Sequence, residues 1–109
     1  MSDVSSAWVV RIDGRVAGMV RVYPMESGAA QLSSMHVHPD FQGRGIGRAL
    51  MSQAMSFIRE AGYRRAELGV VEANFKARGL YESAGWTVKT RNEKGVEGVP
   101  YFVMQWTVS

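Results

Sequence analysis

Between His38 and Leu50 the sequence runs HPDFQGRGIGRAL. Gly43, Gly45 and Gly47 alternate with Arg44, Ile46 and Arg48, directly ahead of a helix-forming run. Backbone without side chains at a helix start is chemistry for anions. The first turn leaves N–H groups unpaired, the helix dipole is positive there, and glycine lets a phosphate approach closely. Arg44 and Arg48 would add charge-assisted hydrogen bonds to that phosphate. A tight turn flanked by two solvated arginines accounts for the same residues without a ligand. Two nucleotide motifs are disfavoured. No Gly-Lys-Ser/Thr follows, so this is not a P-loop, and Leu50 stands where a dinucleotide fingerprint needs its third glycine.

A second group of residues follows at Asn74, Ala77, Leu80, Tyr81, Gly85 and Trp86. Asn74 is a natural N-cap, because its side chain can accept from an unpaired N–H of the first turn. Tyr81 falls on the apolar face of the helix that Asn74 would open, where a core aromatic is the default reading. His36 and His38 share one strand face by their spacing, but zinc takes three or four ligands and no others cluster nearby, so they read as non-metal residues.

The elements that must position these groups follow from periodicity. Trp8 to Tyr23 reads as two strands around Asp13-Gly14, a strong hairpin signal. Pro24 to Ala29 is a loop, and Gln31 to Val37 is a third strand stopped by His38-Pro39. From Gly45 to Ala61, Ile46, Leu50, Ala54, Phe57 and Ala61 recur at helical spacing, widened by Met51, Met55 and Ile58, and Gly62 caps the helix. Arg65 to Glu72 reads as a mostly buried fourth strand. Ala77, Leu80, Tyr81 and Ala84 form the face of a second helix, which Gly85 ends. Trp86 to Arg91 and Tyr101 to Val108 are the last strands, joined by the polar connection Asn92 to Pro100. The order β-β-β-α-β-α-β-β predicts an α+β (mixed α/β) fold.

Composition limits the rest. A chain of 109 residues with 46% hydrophobic and 21% charged residues reads as one domain over 1–109, with 1–6 expected to be disordered. The absence of Cys removes disulfides and thiolate metal sites and fits a reducing compartment. Met1 to Trp8 lacks the pattern of a signal peptide, and no apolar run nears the roughly 18 residues of a membrane span, so a cytoplasmic, non-membrane protein is expected. A net charge of +3 suits an anionic ligand but is too small to argue for nucleic acid.

Gln42-Gly43-Arg44-Gly45-Ile46-Gly47 resembles the Q/R-x-x-G-x-G/A motif of the GCN5-related N-acetyltransferases, and Met35 to Pro39 resembles the strand before it. Asn74-x-x-Ala77-x-x-Leu80-Tyr81-x-x-x-Gly85-Trp86 is similar to a second segment of that family. The resemblance covers nearly all of Trp8 to Trp106 in element order and implies a mixed, mainly antiparallel sheet. It implies that Gln42 to Arg48 hold the pyrophosphate of acetyl-coenzyme A and that the backbone of Met35 and Val37 pairs with the pantetheine arm. Asn74 would contact that arm and Tyr81 would approach the thioester sulfur. The implied reaction is direct attack of a primary amine on the thioester, with a backbone N–H near Met35 facing the carbonyl oxygen and Tyr81 protonating the departing thiolate. A non-catalytic acyl-coenzyme A binding or sensing module is the alternative. A basic nucleic-acid-binding domain ranks below both, because no such motif is present.

The sequence departs from the family in two ways. Positions where relatives often carry a general base hold Gln31, Ser33 and Gly69, none of which titrates usefully. Glu72, Glu26, His36 or a water chain to solvent remain for that role. Relatives also place a strand and one or two helices before the region that starts here at Trp8, and those helices form a wall of the acceptor site. A second chain could supply that wall. A C₂ homodimer burying Trp8, Phe102 and Trp106 on outer strands is the expected form.

Overall fold

Asp13 and Gly14 both take left-handed backbone angles, with φ of 51° and 77°, the requirement of a tight hairpin turn whose twist matches its strands. In the computed structural model, which describes residues 6–108, that turn joins β1 (Ser6–Ile12) to β2 (Arg15–Pro24). Then follow β3 (Ala30–Val37), α1 (Ile46–Glu60), β4 (Arg65–Val71), α2 (Phe75–Ser83), β5 (Thr87–Asn92) and β6 (Tyr101–Thr107). The six strands make one sheet in the order β1-β2-β3-β4-β6-β5, antiparallel throughout except where β3 meets β4. The expected α+β order is the one observed. Ser6, expected to be disordered, opens β1, and residues 1–5 lie outside the described residues.

Both helices lie side by side on one face of the sheet. The stripe on α1 buries Ile46, Leu50, Met51, Ala54 and Ile58 against Val20, Val22, Leu32, Ala66 and Leu68 of the strands. Each fully buried side chain of this kind contributes about 1.5–3 kcal/mol relative to exposure. Phe57 sits at the margin of the stripe and meets the edge of Trp8, with ring centroids 5.2 Å apart. The opposite face presents Val9, Tyr23 and Val71 to solvent.

Two details set where the helices begin and end. At Gly18 in β2 a Cβ would lie 2.9 Å from Ile46 Cγ2 and 3.0 Å from the His36 carbonyl oxygen, so the start of α1 presses against bare backbone. Behind α2, the Gly85 N–H donates to Glu82 and the Trp86 N–H to Tyr81, a Schellman closure with Gly85 at φ 104°. Trp86, expected to start a strand, is therefore the last residue of the helix cap, and β5 begins at Thr87.

The three aromatic residues expected on outer strands are placed differently. β6 lies between β4 and β5, so Phe102 and Trp106 are inside the sheet. Trp106 is buried 6.1 Å from Trp86, and Phe102 is half-buried beneath the guanidinium of Arg78 at 4.7 Å. Trp8 is on edge strand β1 but leans on Phe57. Helix packing claims these side chains because they fall on the covered face, and they do not form the exposed apolar surface a dimer would use.

Candidate functional site

β3 and β4 hydrogen-bond only at their starts. Their register pairs Ala30 with Ala66 and Gln31 with Glu67, and then the strands separate. Beyond Gln31 the edge of β3 that faces β4 therefore carries backbone groups with no ladder partner. The same stretch of β3 is bulged against β2. Met19 pairs with His36 and Arg21 with Ser33, so Ser34 and Met35 together stand opposite Val20. A bulge leaves backbone groups outside the ladder and turns the strand locally, and such features gather beside active sites.

Beside the unpaired end of β3, against the starts of α1 and α2, lies a cleft of about 370 Å³ whose lining includes Met35, Val37, Gln42, Gly43, Gly45, Ile46, Gly47, Arg48, Asn74 and Tyr81. Gly43 and Gly45 adopt φ of 83° and 79°, and a Cβ on either would meet no atom within 4 Å. Left-handed backbone at both positions turns the chain into α1 while keeping the space above it clear. Gly45 is the N-cap of α1 and supplies no side-chain cap, so among the described residues no cap side chain takes up the first N–H groups of the helix, and Gly45 to Arg48, which carry them, line the cleft. Gly47 lies where α1, α2 and β3 close together, its absent Cβ 3.3 Å from Leu80 Cδ2 and 3.7 Å from Val37 Cγ2.

Arg44 is the exception among the expected binding residues. It does not line the cleft, and its guanidinium lies 5.3 Å over the ring of Phe41. Arg15 stacks on the same ring at 5.0 Å and pairs with Asp40 at 2.7 Å. The second cation of the cleft is instead Lys76, in the first turn of α2, whose Nζ donates to Gln42 Oε1 at 3.2 Å. Gln42 in turn donates through Nε2 to the Val37 carbonyl at 3.4 Å. Lys76 went unrecognised because nothing local reveals that both helix N-termini open onto one cleft. Its nearness to the Asn74 cap was the available signal.

Asn74 caps α2 as expected, accepting from the Ala77 N–H at 3.3 Å. Tyr81 is buried, with 6% of its surface exposed, and burial pushes its hydroxyl above the ordinary value of 10.0. Among the described residues no hydrogen-bond partner holds that hydroxyl. Tyr81 also lines a second cleft of about 420 Å³, which shares Met35 and Asn74 with the first and extends past Gln31, Ser33, Gly69 and Val71. A group in one cleft and a group in the other would thus meet at Tyr81.

The candidate bases are distributed unevenly. Glu72 is gripped by Arg91 through both carboxylate oxygens, one of them 3.2 Å from Nη2. That guanidinium holds the carboxyl below its ordinary 4.5. Glu26 lies in the loop before β3, at the opposite end of that strand from the cleft. His36 lines the first cleft and is exposed. His38 uses Nδ1 to accept from the Asp40 N–H at 3.1 Å, which caps a short 3₁₀ turn.

Comparison with known proteins agrees with this geometry. A sequence profile described as the acetyltransferase (GNAT) family matches residues 2–86. The mycothiol acetyltransferase of Beutenbergia cavernae is 39% identical over 87 residues, which is 78% of this chain and 29% of that protein. The chain spans less than half the length of the curated relatives it matches. The ribosomal-protein-S18-alanine N-acetyltransferase of Escherichia coli superposes with a TM-score of 0.84 at 25% identity, covering 96% of this chain and 70% of that one. The protein yncA of Salmonella typhimurium, solved with its cofactor acetyl-CoA, gives 0.85 at 25% identity over 94% of this chain and 64% of that one. With its cleft beside the unpaired end of β3, its glycine loop ahead of α1 and a family profile spanning most of its length, the chain belongs to the acetyltransferase (GNAT) family.

Proposed function

We propose that the chain binds acetyl-coenzyme A in the first cleft and transfers the acetyl group to a primary amine that enters through the second. The reading rests on one observation above all: Tyr81, together with Met35 and Asn74, lines both clefts. The residues present fit the ligand. The open N–H groups at Gly43, Gly45 and Gly47, with Arg48 and Lys76, suit a pyrophosphate, and the unpaired edge of β3 at Met35 and Val37 suits an amide-bearing arm laid beside it as an added strand. Acetyl-coenzyme A supplies an acyl thioester, a carbonyl open to amine attack with a thiolate as leaving group.

The chain's own groups then divide the work. A backbone N–H at the Met35 bulge stabilises the charge that develops on the carbonyl oxygen. As the amine nitrogen bonds to the carbonyl carbon and the carbon–sulfur bond breaks, the Tyr81 hydroxyl gives its proton to the sulfur and recovers one, through water, from the nitrogen as it becomes the neutral amide. Burial keeps that hydroxyl protonated well above neutral pH, which suits it to the acid role. The ammonium proton leaves through the polar second cleft to water, because Gln31, Ser33 and Gly69 cannot accept it and Glu72 is occupied by Arg91. That lack of a carboxylate or imidazole among the described residues lining the second cleft also favours a second reading, a non-catalytic acyl-coenzyme A sensor. Release of free coenzyme A in the presence of an amine panel separates the two: amine-dependent release supports the transferase, and binding without release across the panel supports the sensor.

A further inference from the structure

The second cleft does not end at Val71. A third, of about 490 Å³, continues from it along β4, sharing Gly69, Val70 and Val71 and lined beyond them by Lys94, Val99 and Tyr101. Its walls are apolar side chains in contact with solvent, since Val71 and Val99 are 44% and 40% exposed. The loop that forms the outer wall is tied down. The Gly95 N–H donates to the Val99 carbonyl at 3.0 Å and the backbone N–H of Glu72 to the Pro100 carbonyl at 3.0 Å. A Cβ at Gly95 would sit 2.6 Å from the Tyr101 ring.

Charge around this mouth is equally specific. An acceptor with several positive charges needs free carboxylates, and those nearby are engaged. Arg91 holds Glu72 and Glu93, and Lys89 holds Glu67 at 2.8 Å. Glu97 belongs to the same loop but does not line the cleft, whereas Lys94 does. A polycation would therefore meet a cation and valine methyls where it needs acids.

We propose that the third cleft selects the acceptor, and that the acceptor is a monoamine with an apolar body, aromatic or branched aliphatic, packed against Val71, Val99 and Tyr101 while its amine reaches Tyr81. The assignment rests on the acetyltransferase reading and adds the substrate class to it. Burial of one such body is worth about tenfold or more in kcat/KM.

The test compares 2-phenylethylamine with spermidine as acceptors, with acetyl-coenzyme A affinity measured separately by calorimetry. Wild type should favour 2-phenylethylamine by at least about tenfold in kcat/KM. Val99→Asp should raise KM for it by about tenfold and leave the acetyl-coenzyme A Kd unchanged, and Lys94→Glu should shift preference toward spermidine. Titration of 2-phenylethylamine into the coenzyme A complex should move the Val71 and Val99 methyl resonances, a readout independent of turnover. Preference for spermidine, an unchanged KM in Val99→Asp, or unmoved methyl resonances would overturn the assignment. If acetyl-coenzyme A itself fails to bind, the acetyltransferase reading falls with it; if it binds and spermidine is preferred, only the acceptor class is wrong.

Discussion

Replacing Tyr81 with Phe removes one oxygen from the wall between the two clefts and leaves the ring where it is. The ring is almost wholly buried, and Phe refills that space, so packing is conserved. The hydroxyl has no bonded partner among the described residues, so no buried donor or acceptor is orphaned, and folding stability should change by less than about 0.5 kcal/mol. Catalysis should respond on another scale. A positioned general acid contributes roughly 10²–10⁴-fold, about 2.7–5.4 kcal/mol of barrier. Released coenzyme A can be followed continuously with a thiol reagent, because the chain contains no Cys to react with it. The expected result is a fall in kcat of at least about a hundredfold, with acetyl-coenzyme A affinity and melting temperature close to wild type. A single-turnover measurement isolates the chemical step from product release. An unchanged single-turnover rate would refute the acid role. A loss of stability above about 1 kcal/mol would make Tyr81 a structural residue whose hydroxyl has a hidden partner.

Acetyl-coenzyme A at about 100 times its Kd should stabilise the fold by about 2.7 kcal/mol, several degrees in a domain of this size. Gly45→Asp should abolish that shift, whereas Gly45→Asn, with the same shape and left-handed strain but no charge, should retain part of it; equal shifts in the two would remove the anion cradle from the mechanism. Glu72→Gln should leave turnover within about twofold at pH 7–9, because Arg91 already occupies that carboxylate; a hundredfold loss would make Glu72 the base after all. The Glu72 carboxyl is held below 4.5, so its stabilisation is present above that pH and is lost as pH falls through the lower folded value. Tyr81 is shifted the other way, so its contribution is fully present below pH 10.0 and is lost as pH rises through the higher folded value. Urea denaturation from pH 3 to pH 11 should show both declines.

The parts of the fold readable from sequence are those that a few neighbouring residues decide. Asp13-Gly14 specifies its hairpin because two adjacent left-handed residues need little else. The spacing of Ile46, Leu50, Ala54 and Ile58 specifies α1, since a buried stripe repeats at the helical period whatever lies beneath it. Boundary errors came where a distant contact overruled local pattern. Trp86 looks like the start of a strand, yet its N–H is the donor that closes α2 on Tyr81. Phe102 and Trp106 look exposed only if β6 is an edge, and its insertion between β4 and β5 is invisible to periodicity.

The candidate site divides along the same line. The sequence by itself determined which groups are on offer: a glycine loop before a helix, an N-cap asparagine, and a tyrosine one turn from a helix end. Only the tertiary structure decided how they meet. β3 and β4 part after Gln31 and Glu67, and the bulge at Ser34 and Met35 is a matter of register against β2. Those pairings join residues far apart in the chain, so no local window encodes them. Long-range packing likewise brought Lys76 to Gln42 across 34 positions and locked Glu72 to Arg91 across 19. Residue type states what chemistry a side chain can perform, but distance and burial decide whether it is free to perform it.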